Sequence, residues 1–258
     1  MIVDYHTHLR DPEERVEHAF EAVERFVETA AARGVDEIGF AEHVYYFRQT
    51  LPVWTLGYQT ERCVNDLETY VGAVLDAKRQ GMPVKLGLEV DYVGDRQDEL
   101  ASILEPYPWD FLLGSVHWVD GLAIDQEPGL WAVASVDEVW QRYFAALAEL
   151  AASGHVDVLA HPDLAKIFGR RPERIDYPTL TGVALEISTN GLYKPVAELY
   201  PDIGFLEGSG LPITLASDAH VPQNVGRDLD RAVELARAAG YDTVTVFDRR
   251  QARQEPLG

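Results

Sequence analysis

The sequence predicts an α/β protein built around parallel strands, and two observations support this fold class. Short apolar runs alternate with longer amphipathic segments, which is typical of repeated strand–helix units. A histidine or a carboxylate follows almost every apolar run, as expected where the carboxyl ends of parallel strands share one functional face. No internal repeat, low-complexity tract or Pro/Ser-rich linker interrupts the pattern, so we expect one domain over residues 1–258.

The first half of the chain alternates predicted strands and helices. The apolar start Met1-Ile2-Val3 leads into the first strand, and apolar side chains then recur at helical spacing over 12–33. Gly34 and Gly81 end the two long helices, since glycine readily adopts the left-handed conformation that stops a helix. Strands are predicted at 37–41, 84–88 and 109–116, helices at 12–33, 60–80 and 95–104, and an aromatic-rich loop at 45–58.

The second half continues the alternation, with one unusual crossover. Between residues 163 and 183, Arg170-Arg171-Pro172 and Tyr177-Pro178 break any helix, although a parallel crossover is usually helical. The sequence therefore leaves open how the sheet closes there and how that wall of a pocket is shaped. Strands are predicted at 156–160, 183–185, 211–216 and 243–247, and helices at 136–152 and 225–239.

The composition excludes several classes of function. The formal net charge of −21 repels nucleic acid backbones and anionic membranes, so neither is an expected partner. Cys63 is the only cysteine, which excludes an intrachain disulfide, a zinc finger and a CxxC redox site. The N-terminus lacks a signal-peptide pattern and no apolar run approaches the ~20 residues that span a bilayer, so we expect a soluble, cytoplasmic protein. The oligomeric state is left open.

The strongest functional signal is the pair His6 and His8. Side chains alternate along a strand, so both imidazoles point to one side and form a ready metal chelate. Imidazoles and carboxylates without thiolates suit zinc, manganese or iron, and their number here implies two or three divalent ions. A carboxylate such as Glu89 is the natural bridge between ions. The other side chains of this kind that follow apolar runs are His43, Glu89, His117, His161, Glu186, Asp218 and His220.

Clustered divalent ions favour one reaction class in particular. They clamp the attacking and leaving oxygens of an in-line displacement and lower the pKa of bound water to roughly 7. Phosphate ester hydrolysis is therefore the favoured activity, and amide or C–N hydrolysis in an amidohydrolase-type barrel is the competing one. A phosphorylated substrate needs the cations of the site, because the net charge of the protein opposes its approach.

Six short motifs contain most of these side chains. They are Asp4-Tyr5-His6-Thr7-His8, Ala41-Glu42-His43, Gly87-Leu88-Glu89-Val90-Asp91, Gly114-Ser115-Val116-His117, Ala160-His161-Pro162-Asp163-Leu164 and Ser217-Asp218-Ala219-His220. Taken in order, these motifs resemble those of the PHP (polymerase and histidinol phosphatase) superfamily. Three further stretches, 114–118, 163–170 and 188–201, resemble its histidinol-phosphatase branch, and the likeness runs from Met1 to about Gly226. The resemblance implies a distorted, TIM-like (β/α)₇ barrel with a trinuclear metal site at the carboxyl face of the strands.

The resemblance also implies a ligand set. The third ion usually has one more ligand soon after the HxH motif, where this chain departs from the pattern. His18 is the favoured candidate there, and Asp11 and Glu14 are the alternatives. Glu186 is expected to orient a ligand histidine. Asp4 is a candidate for the same role unless it caps a strand edge. The implied set gives His6, His8, Glu89 and Asp218 to one ion, Glu89, His117 and His161 to a second, and His43 and His220 to a third.

The resemblance implies hydrolysis of L-histidinol phosphate to L-histidinol and phosphate, in histidine biosynthesis, by attack of a metal-bound hydroxide. Glu89, Asp218 and His220 are the candidate catalytic residues, and the group that moves the proton is left open. The candidate substrate-binding residues are cations in loops after site strands, together with Trp118 for contact with the imidazole. Arg170 fits a bidentate phosphate contact, and Lys166 and Lys194 are further cations of this kind.

Three alternatives compete with this function. One is a phosphoesterase of the same superfamily for another small substrate, such as a nucleotide, a sugar phosphate or a phosphotyrosine peptide. Another is a non-catalytic metal-binding module, although nearly all ligand positions are filled. A polymerase-associated domain is the third, which the acidic charge and the absence of polymerase regions after residue 258 disfavour.

Overall fold

The computed structural model describes residues 1–258 and contains twelve strands and seven α-helices. The strands are β1 (Val3–Thr7), β2 (Glu37–Phe40), β3 (Val84–Leu86), β4 (Glu89–Asp91), β5 (Leu113–Ser115), β6 (Trp118–Val119), β7 (Leu122–Ala123), β8 (Val158–Leu159), β9 (Ala184–Ser188), β10 (Ile213–Ala216), β11 (Thr243–Asp248) and β12 (Gln251–Pro256). The helices are α1 (Phe20–Ala32), α2 (Gly57–Thr60), α3 (Leu67–Arg79), α4 (Gln97–Leu104), α5 (Val136–Ala152), α6 (Ile203–Ser209) and α7 (Leu229–Ala238). None of these helices has the length and apolar character needed to cross a membrane.

Two parallel sheets organise the fold. One has the strand order β1-β2-β3 and the other the order β10-β9-β8-β5-β4. Isolated parallel bridges link the two sheets, from Thr7 to Ala219 and from His43 to Glu89. The predicted parallel α/β architecture is therefore confirmed. Two antiparallel hairpins, β6-β7 and β11-β12, lie outside these sheets.

A single apolar run supplies both β3 and β4, and Gly87 lies in the break between them. Its backbone passes so close to Phe111 that a Cβ at this position would lie 2.3 Å from the ring. Any side chain here would displace that buried ring, so glycine permits the close approach. As a result β3 pairs with β2 whereas β4 pairs with β5. The break directs the start of β4, and therefore Glu89, into the second sheet.

Helix α5 shows how local sequence fixes an element. Its N-cap Ser135 accepts the Glu138 N–H while the Glu138 carboxylate accepts the Ser135 N–H, a reciprocal capping box. Its apolar face buries Val139, Tyr143 and Leu147 in the one continuous core of the molecule. The predicted bounds, 136–152, are confirmed.

Two predicted helices begin later than the sequence pattern indicates. Helix α1 begins at Phe20 rather than at residue 12, because the Asp11 carboxylate accepts the Glu13 and Arg15 N–H groups and folds the preceding segment into a loop. Glu14 in that loop has a φ of 66°. The predicted helix over 60–80 is divided, since Asp66 caps a new helix at Leu67. His18 consequently precedes α1 instead of lying within it.

The helix predicted over 225–239 also begins late, since α7 starts at Leu229. The remaining differences are at strand ends and in the crossover. Most strands are shorter than predicted, and α6, β12 and the β6-β7 hairpin were not predicted. The crossover from β8 to β9 contains no α-helix, as predicted, but only a 3₁₀ turn at Leu164–Lys166. Strands β8 and β9 nevertheless pair in parallel register. The broken crossover is therefore compatible with a continuous sheet.

Candidate metal centre

The carboxyl ends of the parallel strands bring the predicted ligands together. The rings of His6 and His8, both on β1, lie with centroids 5.0 Å apart. His43 follows β2, Glu89 opens β4 and His117 follows β5. The ring of His43 lies 4.3 Å from that of His8. After β8 and β10 come His161, Asp218 and His220, which complete the cluster.

Glu89 lies at the centre of this cluster. Its Oε2 lies 2.5 Å from His43 Nδ1 and 3.5 Å from His6 Nε2. Its Oε1 lies 3.3 Å from His161 Nε2 and 3.5 Å from His117 Nε2. The two oxygens of one buried carboxylate thus face two different sets of imidazoles, which is the geometry expected of a bridging ligand.

Asp218 closes the cluster on the side of β10. Its Oδ1 lies 3.3 Å from His8 Nε2 and 3.9 Å from His6 Nε2. Its Oδ2 accepts a hydrogen bond from Asn190 Nδ2 at 2.7 Å. Asp218 and His161 both adopt positive φ values, 48° and 29°. Strain of this kind is concentrated at functional sites, where surrounding contacts hold it in place.

Carboxylates outside the cluster contact the Nδ1 atoms of three imidazoles and orient their rings. His6 Nδ1 lies 2.8 Å from Glu186 Oε2, as expected for Glu186. His117 Nδ1 lies 2.6 Å from Asp91 Oδ1, and His8 Nδ1 lies 3.2 Å from Glu42 Oε1. A proton on each Nδ1 leaves the Nε2 lone pair free to bind a cation. The sequence reasoning did not assign roles to Glu42 and Asp91. Asp91 lies two residues after Glu89, so the period of a strand was the available signal.

Asp4 has a structural role instead of an orienting one. Its carboxylate accepts the Ser217 N–H at 2.8 Å, the Ser217 hydroxyl at 2.5 Å and the Gly226 N–H at 2.7 Å. It thereby ties β1 to the segment that follows β10, one residue before Asp218. Burial raises the pKa of Asp4 to about 6, against the lowering effect of these hydrogen bonds.

The buried carboxylates and imidazoles of the cluster shift one another's pKa values. Burial alone would raise the pKa of Glu89, but His43, His117 and His6 hold it well below its usual value, so the carboxylate is ionised. Burial lowers the pKa of His43 to about 4. Burial also works to lower the pKa of His117, but Asp91 and Glu89 outweigh it and raise the pKa to about 10.

Several polar atoms of the cluster are buried without a hydrogen-bond partner. They include His6 Nε2, His8 Nε2, His43 Nδ1 and Glu89 Oε2. Unpaired buried polar atoms are costly, and here they converge on shared points instead of on solvent. The residues therefore fit divalent metal ions, and imidazole with carboxylate is a donor set that zinc, iron and manganese accept.

The potential ligands fall into four overlapping groups whose donor atoms lie within 4.8 Å of one another. Two of the groups agree with the first two expected ions, except that Glu89 is counted with only one of them. The third expected ion has His8, His43 and His220 around it, and the two carboxylates beside them, Glu89 and Asp218, are counted with the other groups. The groups are His6/His8/Asp218, Glu89/His117/His161, His8/His43/His220 and His43/Asp91/His117.

No further ligand reaches the third group. His18 Nε2 lies 3.2 Å from Glu42 Oε2, and its ring stacks on Phe47, 5.3 Å between centroids. The Asp11 carboxylate is committed to its own loop, and Glu14 is exposed. His18 thus contacts Glu42, whose carboxylate also contacts His8, and does not reach the cluster itself. The structure brings none of the three candidates, His18, Asp11 and Glu14, into the cluster.

The cluster opens into a cavity of about 220 Å³. Lys194 and Trp118 line it, and Lys194 is its only lysine or arginine. Tyr200 also lines it and is 1% exposed, with a hydroxyl that has no hydrogen-bond partner. The rings of Tyr45 and Tyr58 pack against Trp118 to form an aromatic wall, with centroids 5.5 and 5.3 Å away.

Two of the expected substrate-binding residues lie elsewhere. Lys166 is fully buried, and its Nζ lies 2.8 Å from Asp163 and 2.7 Å from Asp202, so its charge is already neutralised. It reaches only the back of Tyr200, 5.4 Å from the ring centroid. Arg170 does not line the cavity, and its guanidinium pairs with Glu127 at 2.5 Å. Both differences from the prediction have the same cause, since the two cations form ion pairs with nearby carboxylates.

Comparison with known proteins identifies the family. A family profile described as "PHP domain" matches residues 4–192. The chain belongs to the PHP domain family. The resemblance of its motifs to this family is thereby confirmed, and the ligand cluster of this PHP domain lies partly within the matched residues and partly on Asp218 and His220 beyond them.

The PHP chain also has named relatives. It is 28% identical over 251 residues to a protein of Deinococcus radiodurans named "Probable histidinol-phosphatase", across 90% of this chain and 93% of that protein. It is 24% identical over 265 residues to the histidinol-phosphatase of Lactococcus lactis, across 95% and 94%. The crystal structure of the L. lactis histidinol phosphate phosphatase, complexed with zinc, L-histidinol and phosphate, matches with a TM-score of 0.69 at 19% identity over 98% of both chains. The two chains share a fold.

Proposed function

We propose that this PHP protein is a metal-dependent phosphomonoesterase that hydrolyses L-histidinol phosphate to L-histidinol and phosphate. The observation that supports it best is the buried Glu89 carboxylate, whose two oxygens face separate sets of imidazoles beside a small cavity. The names of the relatives supply the substrate. The cavity, of about 220 Å³, suits a small phosphoester and not a peptide.

The side chains around the cavity have separate tasks. Divalent ions held by the cluster supply positive charge for the transition state of phosphoryl transfer and lower the pKa of water. Lys194 pairs with the phosphate, and the Tyr200 hydroxyl donates a hydrogen bond to it, because burial raises the pKa of Tyr200 and keeps the proton in place. Asp218 and His220 are our candidates for moving the proton, with Asp218 held in position by Asn190.

Two ions are our proposal for the tightly bound metal content. What supports this number is the charge of each group, since Asp218 serves one group and Glu89 the other. The third group consists of imidazoles alone, and the carboxylates beside it already belong to the other two groups: Asp218 Oδ1 lies 3.6 Å from His220 Nδ1 and Glu89 Oε2 lies 2.5 Å from His43 Nδ1. Burial, His8, His43 and the buried Arg10 hold the pKa of His220 well below its usual value, against the raising effect of Asp218. A third ion would accordingly be held more weakly by these imidazoles.

The same proposal includes the architecture. Counting β3 and β4 as one interrupted strand gives seven parallel strands. The bridge from Thr7 to Ala219 lies where a barrel would close, between β1 and β10, and the bridge from His43 to Glu89 continues the pairing of β2 across the break between β3 and β4. We infer a distorted (β/α)₇ barrel that forms one domain. In such barrels the carboxyl ends of the strands hold the active site, which is where this cluster lies.

Phosphate release from L-histidinol phosphate tests the function. The purified protein is assayed with and without a chelator, beside a nucleotide, a sugar phosphate and a phosphotyrosine peptide. Selective, chelator-sensitive release supports the proposal. Chelator-sensitive activity on the other esters alone would discard the substrate, and a metal-loaded protein inactive on every ester would make it a binding module.

A further inference from the structure

Asp125 lines the cavity but belongs to none of the ligand groups. It follows Ile124, which is fully buried and whose backbone N–H and C=O groups both form hydrogen bonds. The Ile124 N–H donates to His117 O at 2.8 Å, and the Trp131 indole N–H donates to Ile124 O at 2.8 Å. The position of Asp125 relative to the metal cluster is therefore set by the backbone that carries His117.

The carboxylate of Asp125 is unusual because it has no partner. Its Oδ1 is shielded from solvent and accepts no hydrogen bond, and Asp125 forms no ion pair, not even with Lys194 in the same cavity. A shielded acceptor without a donor is destabilising, so it is normally retained for a ligand. Elsewhere in this acidic chain, carboxylates near cations pair with them, as Asp163 pairs with Lys166.

The polar groups of the cavity match a substrate with three parts. Lys194 and the Tyr200 hydroxyl are donors and suit a phosphate, while the aromatic wall of Tyr45 and Trp118 suits a flat ring. L-Histidinol phosphate also has an ammonium group, which needs a negatively charged acceptor. Glu89 and Asp218 belong to the ligand groups, so Asp125 is the carboxylate left for it.

We propose that Asp125 binds the ammonium group of the substrate and selects amino-alkyl phosphates over phosphoesters without a cation. This inference rests on the proposed function and adds a specificity-determining residue to it. A carboxylate–ammonium pair inside a small cavity is poorly screened by solvent, so its loss has a large effect on discrimination.

The test compares Asp125→Asn with the wild type on two substrates, L-histidinol phosphate and its desamino analogue. The variant should lower kcat/KM for L-histidinol phosphate about 100-fold, mostly through KM, because the amide cannot neutralise the ammonium. It should leave the desamino analogue within about twofold of the wild type, since that substrate has no ammonium to lose. The wild type should prefer the amino substrate by the same factor.

Asp120→Asn is the matched control. Asp120 lies in the turn of the β6-β7 hairpin, five residues before Asp125. It has a positive φ that asparagine also tolerates, and it is exposed and pairs with Arg142 at 3.4 Å. Its variant should keep wild-type kinetics on both substrates. Metal content and circular dichroism of both variants show that the fold and the cluster are unchanged.

Each other outcome has a distinct meaning. If Asp125→Asn lowers kcat for both substrates equally, Asp125 gives its proton to the leaving alkoxide or supports the metal cluster, and the ammonium assignment is wrong. If the variant retains the preference for L-histidinol phosphate, another group binds the ammonium. If the wild type has no activity on L-histidinol phosphate but hydrolyses other esters, the proposed function fails first, independently of Asp125.

Discussion

Buried charged side chains have protein partners at one end of the parallel strands and lack them at the other. Before β5, the Asp110 carboxylate accepts Lys78 Nζ at 2.6 and 2.7 Å and the Leu86 N–H at 2.9 Å. Before β8, Asp157 accepts the Arg250 guanidinium at 2.9 Å and the Leu112 N–H at 2.8 Å. At these amino ends the protein itself supplies the partners of its buried carboxylates.

At the carboxyl ends the partners are incomplete. Glu89 Oε2 and the facing nitrogens of His6, His8 and His43 have no hydrogen bond, although all are buried. Ion pairs and hydrogen bonds of the charged side chains therefore stabilise the fold at the amino ends, whereas the charged side chains at the carboxyl ends are available to bind a ligand. A substitution should therefore affect stability at one end and metal binding with activity at the other.

Glu89→Gln should have the largest effect on activity. The amide keeps the shape of the side chain but removes the negative charge that faces both sets of imidazoles, so we expect loss of bound metal and a fall in kcat of at least about 10³-fold. Metal content by mass spectrometry and phosphate release measure the two effects. Turnover near that of the wild type would show that Glu89 does not bridge the ions.

Asp110→Ala should give the opposite profile. It leaves Lys78 with only Asp248, 3.6 Å away, as an acidic partner and the Leu86 N–H without an acceptor, so the free energy of unfolding should fall by about 3 kcal/mol. Activity and metal content should stay within about twofold of the wild type, because the site is at the other end of the strands. Urea denaturation and kinetics below the unfolding transition measure both. A loss of metal at unchanged stability would contradict the division between the two ends.

The sequence predicts which candidate ligands lie together, because strand periodicity and residue type act together there. His6 and His8 alternate on one strand, and Glu89 and His117 come at the ends of apolar runs. Side-chain direction is fixed by the strand, and imidazole or carboxylate at that position has few structural uses. The family motifs then add the pairing of ligands with ions.

The ion-pair partners of cations in loops, and the hydrogen bonds that form the loops, are harder to predict. Lys166 and Arg170 follow a site strand as expected, but Asp202 and Glu127, distant in sequence, neutralise them. Helix α1 begins late because a hydrogen-bonded loop at Asp11 competes with apolar spacing. Both errors arise where a contact between side chain and backbone, or between distant residues, decides the structure.

His18→Ala should have the smallest effect of these substitutions. It tests whether His18 belongs to the metal centre. The substitution removes the stacking of His18 on Phe47 and its contact with Glu42, which keeps Arg10 at 2.8 Å and His8 at 3.2 Å as partners. We expect unchanged metal content and a fall in kcat/KM below about fivefold, since the change acts on His8 only through Glu42. His43→Ala is the contrasting variant and should lose metal. Metal content therefore decides whether His18 is a ligand or a residue behind Glu42. If His18→Ala loses one ion per chain, His18 completes the third group when metal is bound.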